Sequence, residues 1–195
     1  MHDLALTFDD GPDETGTRDV LDVLAATGAR ATFFLIAARA AAHPAMVARI
    51  VDEGHAVGLH CDEHVRHSSR DADWGRADTE RALGRLSELG VEPTLWRTPW
   101  GDTAPWTEPL AAELGLRLTG WDVDTHDWRG DRAASMFAAT REALRAGAIV
   151  LAHDGIGPGA RRSDVRETVA YVQLVTRHAR HRQLQLAPLD DHRAP

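Results

Sequence analysis

Two neighbouring carboxylates, a pair of histidines four residues apart and a late histidine are the groups through which this 195-residue sequence could do hydrolytic chemistry. In Thr7-Phe8-Asp9-Asp10-Gly11-Pro12 both carboxylates arrive where an apolar run meets a Gly-Pro turn that redirects the backbone sharply. By itself that segment is equally well explained as a turn, because Asp is a favoured turn residue. In His60-Cys61-Asp62-Glu63-His64 the histidines stand at i and i+4, a spacing expected to put both on one face of a helical turn, as ligands to one metal must be. The segment is not a His-Glu-x-x-His protease signature, since Cys61 follows the first histidine and Glu63 is displaced. With 11 histidines in the chain such a pair is weak alone, so its position must decide.

The elements that position these groups can be read from hydrophobic period. Short apolar runs rich in β-branched or aromatic residues alternate with longer runs of helical period, the pattern of repeated β-α units with parallel strands. Seven strands are expected, at Asp3 to Phe8, Ala31 to Ile36, His55 to His60, Thr94 to Thr98, Arg117 to Asp124, Ala148 to His153 and Gln183 to Pro188. Gly28, Gly54, Gly90, Gly115 and Gly147 follow periodic stretches as helix-ending glycines do, and Pro44 and Pro105 suit first turns. The economical architecture is α/β, a distorted β/α barrel of about seven parallel strands in one domain spanning residues 1 to 195, with 190 to 195 as a flexible tail. An open doubly wound sheet is the alternative. Either one gathers functional residues at the C-terminal strand ends. Asp9 with Asp10, His60 with His64, Arg97, the segment Asp124 to Trp128, and His153 all fall at such ends. Five strands delivering reactive groups to one rim would cost desolvation without return in a purely structural protein.

Composition narrows the field. With 43% hydrophobic residues the chain can bury one core but is short for two. The net charge of −8 offers nothing to nucleic acid or an anionic membrane. All 22 basic residues are Arg, so no lysine is present for Schiff-base chemistry. A single cysteine precludes an internal disulfide, and no apolar run approaches the roughly 18 residues of a membrane span. Cytoplasm is the expected location, with no membrane partner.

Taken in order, Thr-Phe-Asp-Asp-Gly-Pro, His60-x3-His64, Arg97-Thr-Pro-Trp-Gly, Asp122-Val-Asp-Thr-His-Asp-Trp and Leu151-Ala-His resemble the motifs of the polysaccharide deacetylases of carbohydrate esterase family 4, which include the nodulation-type chitooligosaccharide deacetylase domain. The resemblance spans residues 4 to 154. It implies a distorted β/α barrel, a single divalent metal, zinc ahead of cobalt, nickel or manganese, and hydrolysis of N-acetyl or O-acetyl groups on a sugar or oligosaccharide. It further implies Asp10, His60 and His64 as metal ligands, Asp9 as general base and Arg97 as the base's partner. By the same resemblance, His153 is the general acid, Asp127 steadies its imidazolium, and the Trp100 backbone NH donates to the oxyanion. Flat aromatic faces suit pyranose rings, and Trp100 and Trp128 are the better cleft candidates among the tryptophans, with Leu151 as a further substrate contact. Two positions depart from the pattern: Leu59 stands where Asn is frequent and Cys61 where Ser or Thr is usual. Cys61 is read as a small buried filler rather than a soft ligand. The remaining histidines are expected to be scattered and exposed, with only His67 and His126 near the rim; Trp96, Trp106 and Trp121 are expected in the core. The Gly-rich run after His153 lacks the phosphate-loop lysine and reads as a flexible rim loop. Hydrolysis of a non-sugar acylated metabolite and a non-catalytic sugar-binding barrel are the alternative functions.

Overall fold

The computed structural model describes residues 3–189, so the expected tail at 190–195 lies outside the described residues. The strands are β1 (Asp3–Asp9), β2 (Thr32–Ile36), β3 (Ala56–Cys61), β4 (Leu95–Trp96), β5 (Arg117–Leu118), β6 (Val123–Asp124), β7 (Ile149–His153) and β8 (Gln185–Leu186). The helices are α1 (Gly16–Thr27), α2 (Ala37–Ala42), α3 (Pro44–Asp52), α4 (Ala72–Glu88), α5 (Thr107–Glu113), α6 (Ala133–Thr140) and α7 (Arg166–His181). β1 and β2 are buried on both faces because helices cover one side and the barrel interior the other.

Seven strands form one parallel path, β5-β4-β3-β2-β1-β7-β6, and β8 pairs with the start of β1. The single strand expected over Arg117 to Asp124 is therefore two, β5 beside β4 and β6 beside β7 at opposite ends of the path. This break has a geometric consequence. Five Cα steps, from Leu118 to Val123, span at most about 18 Å, whereas the edges of a flat seven-stranded sheet lie about 29 Å apart. The sheet must curl until its edges approach, which gives the distorted barrel and excludes the open sheet.

α1 illustrates how the sequence sets its helices. Val20, Leu21, Val23 and Leu24 face the core, and the chain leaves through Gly28 at φ 68°, whose amide bonds the Ala25 and Leu24 carbonyls. That left-handed conformation costs glycine nothing. All five expected stop glycines have positive φ, but Gly147 follows a turn, α6 having ended at Thr140. Pro44 opens α3 as expected, whereas Pro105 precedes α5, whose N-cap is Trp106. The core is contiguous from Phe8 and Phe33, whose rings stack 5.2 Å apart, to Tyr171 on α7. No helix among the described residues is long and apolar enough to cross a membrane.

Candidate active site

The C-terminal end of β1 turns sharply: Asp10 has φ 74°, a conformation rare outside glycine and costly enough to mark a constrained site. Both carboxylates are buried there. The Arg97 guanidinium, delivered just after β4, reaches Asp9 Oδ1 at 2.9 Å and Thr7 Oγ1 at 2.7 Å through one nitrogen. Its other nitrogens donate to the Gly120 carbonyl at 2.8 Å and the Thr119 carbonyl at 3.2 Å, across the seam between β5 and β6. With its side chain at 0% exposure and its face on Phe34, Arg97 is a desolvated charge each of whose three nitrogens finds an acceptor, the condition under which burial is tolerable.

Asp10 faces the two histidines. Its Oδ1 lies 3.4 Å from His60 Nε2 and 3.1 Å from His64 Nε2, and one ligand atom from each of the three residues falls within 4.8 Å of the others. His60 Nδ1 is 2.6 Å from the Arg97 carbonyl. A carbonyl can only accept, so Nδ1 carries a proton and Nε2 is the nitrogen turned to Asp10, the orientation of a metal-ligating histidine. Asp10 Oδ1 is buried and lacks a hydrogen-bond partner among the described residues. An unsatisfied carboxylate oxygen beside two imidazole nitrogens fits a divalent cation of borderline softness.

The helical turn expected for the histidine pair does not form. His60 is on β3, and His64 follows a bend whose Asp62 and Glu63 amides donate to Asp78 on α4 at 3.1 and 2.9 Å. Bending rather than winding brings the i and i+4 rings together, their centroids 5.1 Å apart.

Asp9 and His153 are register partners across β1 and β7. His153 Nδ1 lies 2.7 Å from Asp127 Oδ1, and its amide donates to Asp127 Oδ2 at 3.0 Å. Burial disfavours the imidazolium, but Asp127's charge and hydrogen bond, helped by Asp10 and Asp9, outweigh it and raise His153 to about 9. Burial likewise opposes Asp127's ionisation, yet His153, Arg162 and Thr168 hold it at about 2. Arg162 donates to Asp127 Oδ2, to Thr168 and to the His153 and Gly155 carbonyls, tying the acid pair to the following loop.

These groups share a cleft of about 390 Å³ whose walls include Trp100, Trp121, Trp128 and Leu151. Trp100 sits at φ 57° on a 3₁₀ turn, 41% exposed, its ring edge-on to His64 at 4.2 Å and under the Arg66 guanidinium. Every site residue expected from the sequence lies in or against this cleft. Four other readings are corrected. Trp121 lines the cleft instead of the core. His67 is buried between Trp96 and Trp106 with Nδ1 3.0 Å from Thr107 Oγ1, and desolvation pushes its pKa down to about 4, so it is no rim group. His55 is also buried and accepts the Ala31 amide. The Gly-rich rim loop is tied down: Arg39 donates to the Asp10 and Ile156 carbonyls at 2.8 and 3.0 Å. Cys61 is the buried filler expected, and burial pushes its thiol pKa up.

Arg39, Asp78, Arg162 and Thr168 were not singled out from the sequence. Each serves through a contact made 15 or more residues away in sequence, and none sits in a strand-end motif.

A model of the family described as polysaccharide deacetylase matches residues 2–119, more than half of the chain. The chain belongs to the polysaccharide deacetylase family. A chitooligosaccharide deacetylase from Bradyrhizobium sp. (strain ANU 289) is 37% identical over 81% of this chain and 73% of that protein. The peptidoglycan-N-acetylglucosamine deacetylase PgdA of Listeria monocytogenes is 35% identical over 77% of this chain, which spans about a third (32%) of PgdA's length. Among solved structures, a family 4 carbohydrate esterase from Streptomyces lividans in complex with acetate aligns at TM-score 0.86, with 27% identity, over 97% of this chain and 94% of that one. A family 4 pseudoenzyme from Bacillus anthracis, 18% identical, aligns at 0.86 over 99% of this chain and 67% of that one. The polysaccharide deacetylase barrel thus occurs with and without activity, and the side chains must carry any functional argument.

Proposed function

We propose that the chain is a metal-dependent deacetylase that hydrolyses the N-acetyl group of an acetylated sugar, with N-acetylglucosamine oligomers, the substrate type in its relatives' names, as the first candidate. What supports this most is the facing of two proton-transfer groups, each with its own fixed partner, into a cleft that also holds an Asp-His-His triad. A binding site needs neither a base nor an acid.

In this reading Asp10, His60 and His64 hold one divalent ion, zinc ahead of cobalt, nickel or manganese. Such an ion supplies polarisation of the acetyl carbonyl and a water made acidic enough to deprotonate near neutral pH. Asp9, aimed by Arg97, takes the proton as the water oxygen adds to the carbonyl carbon. The Trp100 backbone NH, turned by its left-handed φ, donates to the oxygen that gains negative charge. His153 passes its Nε2 proton to the nitrogen as the C–N bond breaks, leaving acetate and a free amine, while Asp127 keeps the ring oriented through Nδ1. Trp128 and the Leu151 side chain offer apolar surface to the sugar ring.

The test is acetate release from short N-acetylglucosamine oligomers by chelator-stripped protein, before and after zinc is added. Release restored by zinc supports the reading. No acetate from zinc-loaded protein would redirect it to a non-sugar acyl amide, for which acetylated small amides are the next substrates to assay.

Gly157 supplies a narrower expectation. A Cβ there would overlap Asp10 Oδ2, so the loop or the carboxylate must give way. Gly157→Ala should weaken zinc binding about tenfold or more, read by competition with a chromophoric chelator. Unchanged affinity would show that the loop yields freely.

A further inference from the structure

His60 and His64 are held in different ways. The His60 ring is fixed by its own hydrogen bond to the Arg97 carbonyl. His64 Nδ1 is buried and has no hydrogen-bond partner among the described residues. Its ring direction therefore rests on the bend that precedes it and on the Trp100 edge packed against it. Cys61, at the start of that bend, offers the amides that follow it only a thiol, a weak hydrogen-bonding group. Its amides at Asp62 and Glu63 are instead received by the two oxygens of Asp78, one each, at 3.1 and 2.9 Å. Asp78 is 3% exposed and stands on α4, a 17-residue helix, so the anchor is rigid. Arg81 braces both sides of the contact, donating to Asp78 Oδ1 at 3.1 Å and to Asp62 Oδ2 at 2.7 Å, and Arg85 holds the other Asp62 oxygen at 2.9 Å.

We infer that Asp78 is a positioning residue for the metal site: by receiving the two bend amides it aims His64 at Asp10 and so sets metal affinity. The inference rests on the reading of Asp10, His60 and His64 as metal ligands. Charge-assisted bonds to two adjacent amides fix the peptide planes entering His64 in both position and tilt. An amide at position 78 keeps one acceptor oxygen and turns an NH₂ toward the second bend amide, where donor meets donor.

The experiment is zinc affinity by chelator competition for wild type, Asp78→Asn, His64→Ala and the double variant, with the thermal midpoint of each metal-free protein measured alongside. Asp78→Asn is expected to bind zinc about 10- to 100-fold more weakly. In the His64→Ala background the same change should have no further effect, because the ring that it aims is gone. A purely structural Asp78 would lower the thermal midpoint without this coupling. Affinity for Asp78→Asn within twofold of wild type, or an undiminished effect in the His64→Ala background, overturns the inference. Should Asp78→Asn not fold, Arg81→Gln, a change at a half-exposed side chain, is expected to weaken zinc several-fold; an unchanged affinity there overturns the inference as well. A wild type that binds no zinc would instead remove the metal-site reading, and the inference with it.

Discussion

Asp9→Asn is expected to bind zinc as tightly as wild type and to release acetate about 10² to 10⁴ times more slowly, the range typical of a lost general base. The separation of the two effects follows from geometry. In the proposed reading Asp10, His60 and His64 hold the metal, whereas Asp9 points to Arg97 and its substitution leaves that triad intact. The same variant should also be less stable. Arg97 is fully buried, and among the described residues Asp9 is the one carboxylate that its guanidinium meets; Thr7 Oγ1 and two carbonyls remain as acceptors but carry no charge. Removing one partner of a buried pair typically costs about 3–5 kcal/mol, because the other charge stays desolvated. Against a total stability of about 5–15 kcal/mol that is a large fraction, so turnover must be compared at a temperature where circular dichroism shows both proteins folded. Full activity in a folded, zinc-loaded Asp9→Asn protein would remove Asp9 as the base. Undiminished stability would mean that Arg97 is satisfied by its neutral acceptors alone.

The arrangement of this site was legible in the sequence to the extent that chemistry coincided with strand ends. Asp9, Asp10, His60, Arg97 and His153 each sit within one residue of a strand's last residue, and a parallel β/α sheet gathers such positions on one rim whatever the loops do. What escaped was anything set by a partner distant in sequence. The Arg117 to Asp124 run alternates well enough for one strand; only the need to pair with β4 at one end and β7 at the other breaks it at Thr119–Gly120, where Arg97 takes two carbonyls. The spacing of His60 and His64 suggested a helical turn because i and i+4 meet on a helix, but Asp78 holds the segment as a bend that achieves the same meeting. His67 and Trp121 exchanged their expected places, rim for interior, for a comparable reason: packing of Trp106 over His67 and opening of the seam beside Trp121 are tertiary facts with no local period. Arg162 and Thr168 lie beyond the last strand-end motif, in a loop and the first turn of α7, and gain meaning only through Asp127.

The second large effect concerns the acid. His153→Ala should cost about 10² to 10⁴ in acetate release while zinc affinity is retained, since His153 is not in the triad. The more discriminating variant is Asp127→Asn, because it acts through the His153 pKa. In the intact pair, His153 is lifted from 6.5 to about 9, chiefly by Asp127 working against burial, so its proton is kept through neutral pH and lost as pH rises through about 9. Asp10 and Asp9 add smaller contributions, and a cation on Asp10 would offset part of them. The basic limb of kcat/KM in the zinc-loaded protein is therefore expected between 6.5 and 9. Asp127→Asn removes the charge that lifts His153 and leaves burial, which lowers it, together with the Arg162 cation, which now faces the imidazolium without an intervening carboxylate. Both act in one direction, moving the limb to 6.5 or below. At pH 8 a fall from 9 to 6.5 cuts the protonated fraction about 30-fold before any loss of ring orientation is added. Stability should respond with the matching sign. His153's raised pKa stabilises the fold fully below pH 6.5 and ceases to do so as pH rises through 9, whereas Asp127's depressed pKa contributes above 3.8 and is lost as pH falls toward 2. The wild-type protein should thus lose stability relative to Asp127→Asn on either side of a window from about pH 4 to 6.5. A basic limb that stays in place in Asp127→Asn would mean that another group donates the proton to the leaving nitrogen, since His153 cannot lose its counter-charge, keep its burial and titrate unchanged.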